Sequence, residues 1–118
     1  MTLTFTILGC GSSGGVPRLG GPDGAGDWGA CDRANPKNRR SRCSILARRK
    51  SAGGETAVLV DTSPDMRVQL LAARCGSLDA VLITHNHADQ THGLDDLRAI
   101  AYRGRRRLDL YSDRKSLD

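Results

Sequence analysis

The N-terminal half of the chain carries patterns that are typical of β-strands. Leu3, Phe5 and Ile7 alternate with threonines, which predicts a first strand with one apolar face. Residues 43–47 and 56–61 predict two further strands, joined by a hairpin turn over residues 48–54. Residues 9–42 show no periodic pattern and are rich in glycine and proline, so we expect a long loop between the first two strands.

The C-terminal half alternates helical and extended patterns. Ser63, Pro64 and Asp65 favour a helix start, because they suit its cap, its first turn and the positive end of its dipole. The predicted buried face of this helix consists of apolar residues at helical spacing: Val68, Leu71, Ala72 and Cys75. An apolar strand over 79–84 follows and should pair in parallel with the strand at 56–61. A helix over 94–102, a strand from 108 and the start of a helix at 113 complete an α/β (α+β) pattern.

Length and composition narrow the class of protein. A chain of 118 residues holds at most one domain. Its formal net charge of +5 favours anionic partners. No apolar run approaches the ~18 residues of a membrane span, and the N-terminus lacks a secretory pattern, so we expect a cytoplasmic protein without a membrane partner. The four cysteines are widely spaced, which predicts free thiols.

The three histidines of the chain all lie between Thr84 and Gly93. His85 and His87 follow the predicted strand at 79–84, and residues two apart on an extended chain point to the same side. Both imidazoles can therefore reach one point beyond the strand end, with Asp89 close behind them. Imidazole and carboxylate together are ligands suited to zinc, manganese or iron. This pattern predicts a metal site rather than an ordinary polar turn.

Two further segments bear on ligand binding. Gly9, Gly11 and Gly14 match a dinucleotide-binding fingerprint, but the glycines and prolines after them prevent the helix that such a site requires. The loop is better explained by a close backbone approach to a ligand or another loop. Residues 35–42 carry four positive charges. They form either a solvated basic loop or a grip on phosphate by Arg39, Arg40 or Arg42.

The motifs taken together resemble a known family. The run from His85 to Asp89 after an apolar strand, with Asp61 ending an earlier strand, resembles the metallo-β-lactamase-fold hydrolases. Five further segments narrow the resemblance: Gly-Cys-Gly-Ser-Ser-Gly-Gly-Val-Pro-Arg from residue 9, Gly-Asp-Trp-Gly-Ala-Cys-Asp from 26, Asn38-Arg-Arg, Asp61-Thr-Ser-Pro-Asp and His92-Gly-Leu-Asp-Asp-Leu-Arg. They are similar to the branch that includes the phosphoribosyl 1,2-cyclic phosphate phosphodiesterases.

The resemblance implies a fold, a site and a reaction. The fold is a four-layer α/β/β/α sandwich of two similar halves, of which residues 1–118 would form the N-terminal half. His85 and His87 would bind a first divalent metal, zinc or manganese. Asp89 would be the catalytic carboxylate and a ligand of a second metal, and Asp61 would lie behind the ligands and position them. The implied reaction is the attack of activated water on a phosphodiester, with small cyclic phosphates as substrates.

The sequence departs from this family in two ways. Gln90 stands where the family has a histidine ligand of the second metal, so the chain would hold one or two ions. His92 lies two residues on, about 200° around a helix, and should not replace the missing ligand. The family domain is also more than twice as long, so we expect this chain to need its missing half or a second copy, and to be inactive alone. The alternatives are a transfer-RNA 3′-end endonuclease and a non-catalytic pseudoenzyme; a nucleic-acid partner is the less expected.

Overall fold

A single five-stranded sheet organises the protein, and the computed structural model describes residues 1–117 of the chain. The strands lie side by side in sequence order: β1 Thr2–Gly9, β2 Ser44–Ser51, β3 Gly54–Val60, β4 Ala80–Leu82 and β5 Asp109–Tyr111. β1, β2 and β3 pair antiparallel, whereas β3, β4 and β5 pair in parallel. The helices are α1 Met66–Ala72, α2 Ala88–Thr91, α3 Leu97–Gly104 and α4 Arg114–Leu117, with 3₁₀ turns at Pro36–Asn38 and Leu94–Asp96.

The α/β class and the predicted parallel pairing are confirmed. Leu59 of β3 lies opposite Val81 of β4, at the centre of the parallel pair. The hairpin between β2 and β3 is tighter than the sequence predicts, because Arg48–Ser51 continue the strand instead of turning. Glu55 lies near the side chain of Arg48, with 3.6 Å between Oε1 and Nε, and this ion pair spans the extended part of the hairpin.

The hydrophobic core lies on one face of the sheet. Leu46, Leu59 and Val81 point from three neighbouring strands into this core, and each is fully buried. Met66 and Leu70 of α1 pack against them. Burial of such aliphatic side chains contributes about 1.5–3 kcal/mol each, so this layer of sheet and helix carries most of the stability.

The buried face of α1 was wrongly predicted. Val68 and Leu71 are 63% and 64% exposed, Ala72 is also exposed, and only Cys75 of the expected set is buried. Met66, Gln69 and Leu70 face inward instead. This orientation follows from the polar side chain of Gln69, which forms hydrogen bonds to three partners in other segments. These bonds require the Gln69 face of the helix to point inward. The helix also begins at Met66, and Ser63 Oγ accepts the backbone N–H of Asp65 just before it.

The opposite face of the sheet is apolar and open to solvent. A row of paired residues crosses all five strands on this face: Ile7, Ile45, Val60, Leu82 and Tyr111. Phe5 and Ile7 of β1 are 67% and 70% exposed. The Cα radius of gyration is 15.8 Å, whereas a compact chain of this length would have about 13 Å. The fold therefore presents one covered and one uncovered face, as expected for half of a two-sheet sandwich.

The long loop between β1 and β2 is held by backbone pairing at three places. Gly11 pairs with Arg42, Val16 with Arg40, and Arg18 with Asp27. These bridges fold the predicted irregular segment into a fixed arrangement beside α1. The four cysteines are unpaired thiols, and only Cys75 is buried. None of the helices within residues 1–117 is long and apolar enough to cross a membrane.

Candidate metal centre

The histidine motif lies at the carboxyl end of the parallel strands. Asp61 directly follows β3, and Thr84 and His85 follow β4, so neighbouring parallel strands bring them to one edge of the sheet. The Asp61 N–H donates to the carbonyl of Leu82 over 2.7 Å, which ties the two strand ends together. Asp61 is buried and has a φ of +64°, a left-handed conformation that aspartate tolerates better than most residues.

Asp61, Thr84 and His85 form a hydrogen-bonded chain that fixes the tautomer of one imidazole. The Thr84 N–H and Oγ1–H both donate to the Asp61 carboxylate, over 2.7 and 2.8 Å. Thr84 Oγ1 also lies 2.9 Å from His85 Nδ1. The Thr84 hydroxyl has one proton, and a carboxylate oxygen accepts, so this proton is donated to Asp61 and not to His85. In the neutral imidazole of His85, Nδ1 must then be the donor, which leaves the lone pair on Nε2 for a metal.

His87 lies beside His85. Their ring centroids are 4.6 Å apart, with an interplanar angle of 77°, and both residues are exposed. The carbonyl of His87 accepts the N–H of Gln90 over 3.0 Å and the Thr91 hydroxyl over 3.0 Å, which fixes its backbone at the start of α2. The structure thus brings together the two imidazoles that the sequence predicted to converge.

Asp89 does not join the imidazoles in a cluster. Among residues 1–117, no three groups of the histidine, cysteine, aspartate and glutamate types come close enough to hold a metal together. Asp89 is half-buried, and its Oδ2 accepts a hydrogen bond of 3.0 Å from Gln90 Nε2. Gln90 itself is 6% exposed, and its buried Oε1 has no hydrogen-bond partner among the described residues.

These donor sets fit one cation better than two. The exposed imidazoles of His85 and His87 suit a single zinc-like ion, and the Thr84 contact directs the Nε2 lone pair of His85 to such an ion. At the second position, the Gln90 amide turns an N–H towards Asp89, and an amide N–H cannot ligate a cation. A second ion would have to displace this hydrogen bond and turn the amide around. His92 lies at the end of the one-turn helix α2, and none of the described contacts brings it to the other imidazoles.

Backbone contacts lock the segment of the histidines onto the segment of Asp61. Thr62 and Ser63 have no exposed surface. The Thr62 N–H and Oγ1–H both donate to the carbonyl of Gln90, over 2.8 and 3.0 Å. The N–H of Gly93 returns a bond of 3.0 Å to the Thr62 carbonyl. The metal motif is therefore anchored to Thr62 within α2, at Gln90, and just after it, at Gly93.

The same buried network continues towards the glycine-rich loop. Ser63 Oγ donates to Gln69 Oε1 over 2.8 Å, and Gln69 Nε2 donates to Ser41 Oγ and to the carbonyl of Arg42. Arg39 and Arg40, predicted as candidate phosphate-binding residues, line a cavity beyond this network together with Arg18. Sequence reasoning missed Arg18, which is separated from the basic segment by two glycine-rich turns. It also missed the role of Thr84, although a hydroxyl directly before the first histidine was a usable signal.

Comparison with known proteins agrees with this architecture. Residues 56–118 match the model of the beta-lactamase superfamily domain, and the chain belongs to this family. In structure, the chain is similar to a new diphosphatase from the PhnP family, with a TM-score of 0.82 and 37% identity over 98% of the chain. It also shares the fold of the metallo-beta-lactamase fold protein YhfI from Bacillus subtilis, with a TM-score of 0.51, 19% identity and 95% of the chain covered.

Two curated relatives have different names. The chain is 39% identical over 95% of its length to an octanoyltransferase from Porphyromonas gingivalis (strain ATCC BAA-308 / W83), and 32% identical over 98% to coenzyme PQQ synthesis protein B from Xanthomonas oryzae pv. oryzae (strain MAFF 311018). It spans only 21% and 42% of these two proteins, and 44% and 37% of the two solved structures. The similarity therefore concerns one part of each relative.

Proposed function

We propose that this chain forms part of a metal-dependent hydrolase that cleaves phosphodiesters, with small cyclic phosphates as the substrate class. The observation that carries the proposal is the pair of adjacent imidazoles at the sheet edge, of which His85 has a fixed tautomer. Membership of the beta-lactamase superfamily supports hydrolysis, and similarity to a diphosphatase supports a substrate that contains phosphorus.

Each residue of the motif has a separate task in this proposal. His85 and His87 bind a divalent cation, zinc or manganese, which would polarise a phosphoryl oxygen and activate water when bound. Thr84 and Asp61 keep Nδ1 of His85 protonated and its ring in place. Asp89 is the proposed catalytic carboxylate, and Gln90 holds its Oδ2.

We further propose that residues 1–118 supply one half of the domain. The uncovered apolar face supports this arrangement, because a row of exposed or half-buried aliphatic and aromatic side chains across five strands needs a covering layer. The layer would come from another part of a longer protein or from a second copy of the chain.

The metal assignment can be tested with a matched set of histidine variants. His85→Ala and His87→Ala should each lower zinc or manganese affinity by more than ~10–100-fold, the loss that is typical when a hydrogen-bond partner of a metal ligand is removed. His92→Ala is the control, because this histidine belongs to the same segment but lies apart from the pair. Isothermal titration with each metal gives the affinity of the chain, and hydrolysis of bis(p-nitrophenyl) phosphate gives the activity once the other half of the domain is present. Equal affinity in all three variants would overturn the assignment.

The hydrogen bond between Gln90 and Asp89 favours a second candidate function, a non-catalytic protein that binds one metal. In that case the protein would bind a cation through His85 and His87 but would not hydrolyse phosphodiesters or cyclic phosphates. Because residues 1–118 are expected to be inactive alone, turnover has to be measured with the other half of the domain present. Metal binding without turnover in that complete domain distinguishes this candidate from the hydrolase.

A further inference from the structure

The glycine-rich loop and the basic segment after it line an open cavity of about 490 Å³. Four arginines line this cavity, which we call the arginine pocket: Arg18, Arg39, Arg40 and Arg42. Asp65 is the single acidic residue among its lining residues. A concave surface with this excess of positive charge concentrates anions from solution.

The one carboxylate of the arginine pocket, Asp65, already forms an ion pair with Arg42. Asp65 Oδ2 lies 2.8 Å from Arg42 Nε and accepts the Arg42 backbone N–H over 2.8 Å, and Oδ1 lies 3.2 Å from the same guanidinium. Arg42 and Asp65 therefore neutralise each other. No ion pair found within residues 1–117 involves Arg18, Arg39 or Arg40. Three positive charges in the cavity thus have no acidic counterpart there.

The frame that carries these arginines is formed before any ligand arrives. Val16 and Arg40 exchange two backbone hydrogen bonds of 2.8 and 2.9 Å, and Arg18 and Asp27 exchange two of 2.9 and 2.8 Å. The guanidinium of Arg39 lies 5.2 Å from the ring centroid of the half-buried Trp28, a cation–π contact. Since these contacts already fix the backbone and one side chain, ligand binding would mainly have to order the exposed side chains of Arg18 and Arg40.

We propose that the arginine pocket is a binding site for a small molecule that carries a phosphate or diphosphate group, held by Arg18, Arg39 and Arg40. Guanidinium forks match phosphate oxygens in pairs, which favours this anion over a simple carboxylate. The volume of the cavity suits a small-molecule ligand up to the size of a nucleotide. This site does not depend on a bound metal, because none of its lining residues belongs to the histidine motif.

Inorganic pyrophosphate is the probe for the test, and the protein is kept in EDTA so that the histidine site cannot contribute. We expect titration calorimetry to show binding that Arg18→Gln and Arg40→Gln each weaken at least about tenfold, the loss of roughly one charge-assisted contact. Arg107→Gln is the matched control, because it removes the same charge from an exposed turn outside the cavity. Urea unfolding checks that each variant is folded, and both substituted side chains in the pocket are exposed, which favours retention of the fold.

Further measurements either support the phosphate site or overturn it. Arg39→Lys keeps the charge but loses the planar fork and its stacking on Trp28, so it should also weaken pyrophosphate binding. Equal affinity in the Arg18, Arg40 and Arg107 variants would overturn the proposal, as would binding that appears only after zinc is added. Tighter binding of a single-stranded oligonucleotide than of pyrophosphate, sensitive to the same substitutions, would also overturn it and assign the pocket to nucleic acid.

Discussion

Gly93 lies where the histidine segment closely approaches the segment that follows β3, and its replacement by alanine tests this contact. A Cβ at position 93 would lie 2.9 Å from the carbonyl carbon of Ser63, still nearer its oxygen, and 3.1 Å from Met66 Cβ. Carbon atoms in contact prefer about 3.5–4.0 Å, so the two segments would have to separate by at least about 0.6 Å. The φ of −86° at Gly93 is one that alanine also adopts, so the expected cost comes from this contact and not from backbone strain.

The expected cost follows from two contributions. Overpacking of a well-packed site costs about 1–3 kcal/mol. Separation of the segments also weakens the hydrogen bond of 3.0 Å from Gly93 to Thr62, and a typical hydrogen bond contributes about 0.5–1.5 kcal/mol. We therefore expect Gly93→Ala to lower the free energy of unfolding by about 2–4 kcal/mol.

Urea unfolding followed by circular dichroism measures this change, with Gly76→Ala as the control. A Cβ at position 76 would meet no atom within 4 Å. The same substitution there should raise stability by about 0.4–1 kcal/mol, because it restricts only the unfolded chain. If the two variants differ by less than about 0.5 kcal/mol, with unchanged m-values, the described packing of Gly93 against Ser63 is wrong.

Three further predictions concern the polar groups around the site and the loop. Thr84→Val removes the hydroxyl that fixes the adjacent imidazole, so zinc affinity measured by chelator competition should fall about 10–100-fold; an unchanged affinity would contradict the hydrogen-bonded chain. Gln90→His replaces the amide that engages Asp89, and elemental analysis should show a second metal ion per chain; a stoichiometry that stays at one would show that more than this ligand is missing. The hydrogen bond from Arg33 lowers the pKa of Asp23, so its stabilising contribution is present above the ordinary pKa and is lost as the pH falls through the lowered value. Arg33→Ala should raise that pKa in an NMR titration, and no change would mean that the pair does not form in solution.

Some features of the site followed from local sequence alone. The convergence of His85 and His87 could be predicted because side chains two residues apart on an extended segment share one side. The parallel pairing of β3 and β4 followed from a strand–helix–strand unit too long for a hairpin. The position of Asp61 beside the histidine motif was implied by the family resemblance, and the parallel pairing explains it, since the carboxyl ends of parallel strands meet at one edge.

Other features depended on contacts between distant segments. The buried face of α1 could not be predicted from apolar spacing, because Gln69 is drawn inward by hydrogen bonds to Ser41 and Arg42, 27 and 28 residues away. The orientation of the Gln90 amide depends on its own packing, so the sequence predicted a missing ligand but not the hydrogen bond that replaces it.

The sequence by itself determined the existence of the strands, the parallel pairing of β3 with β4 and the pair of imidazoles, because each of these follows from the pattern of a short segment of the chain. Only the tertiary structure decided that Arg18 joins Arg39 and Arg40 around one cavity, since that juxtaposition depends on how the glycine-rich loop folds back. It also decided that one apolar face of the sheet is covered by helices while the other is open. The continuous apolar runs at 57–60 and 80–83 mark both faces of the central strands as apolar but do not specify what packs against them.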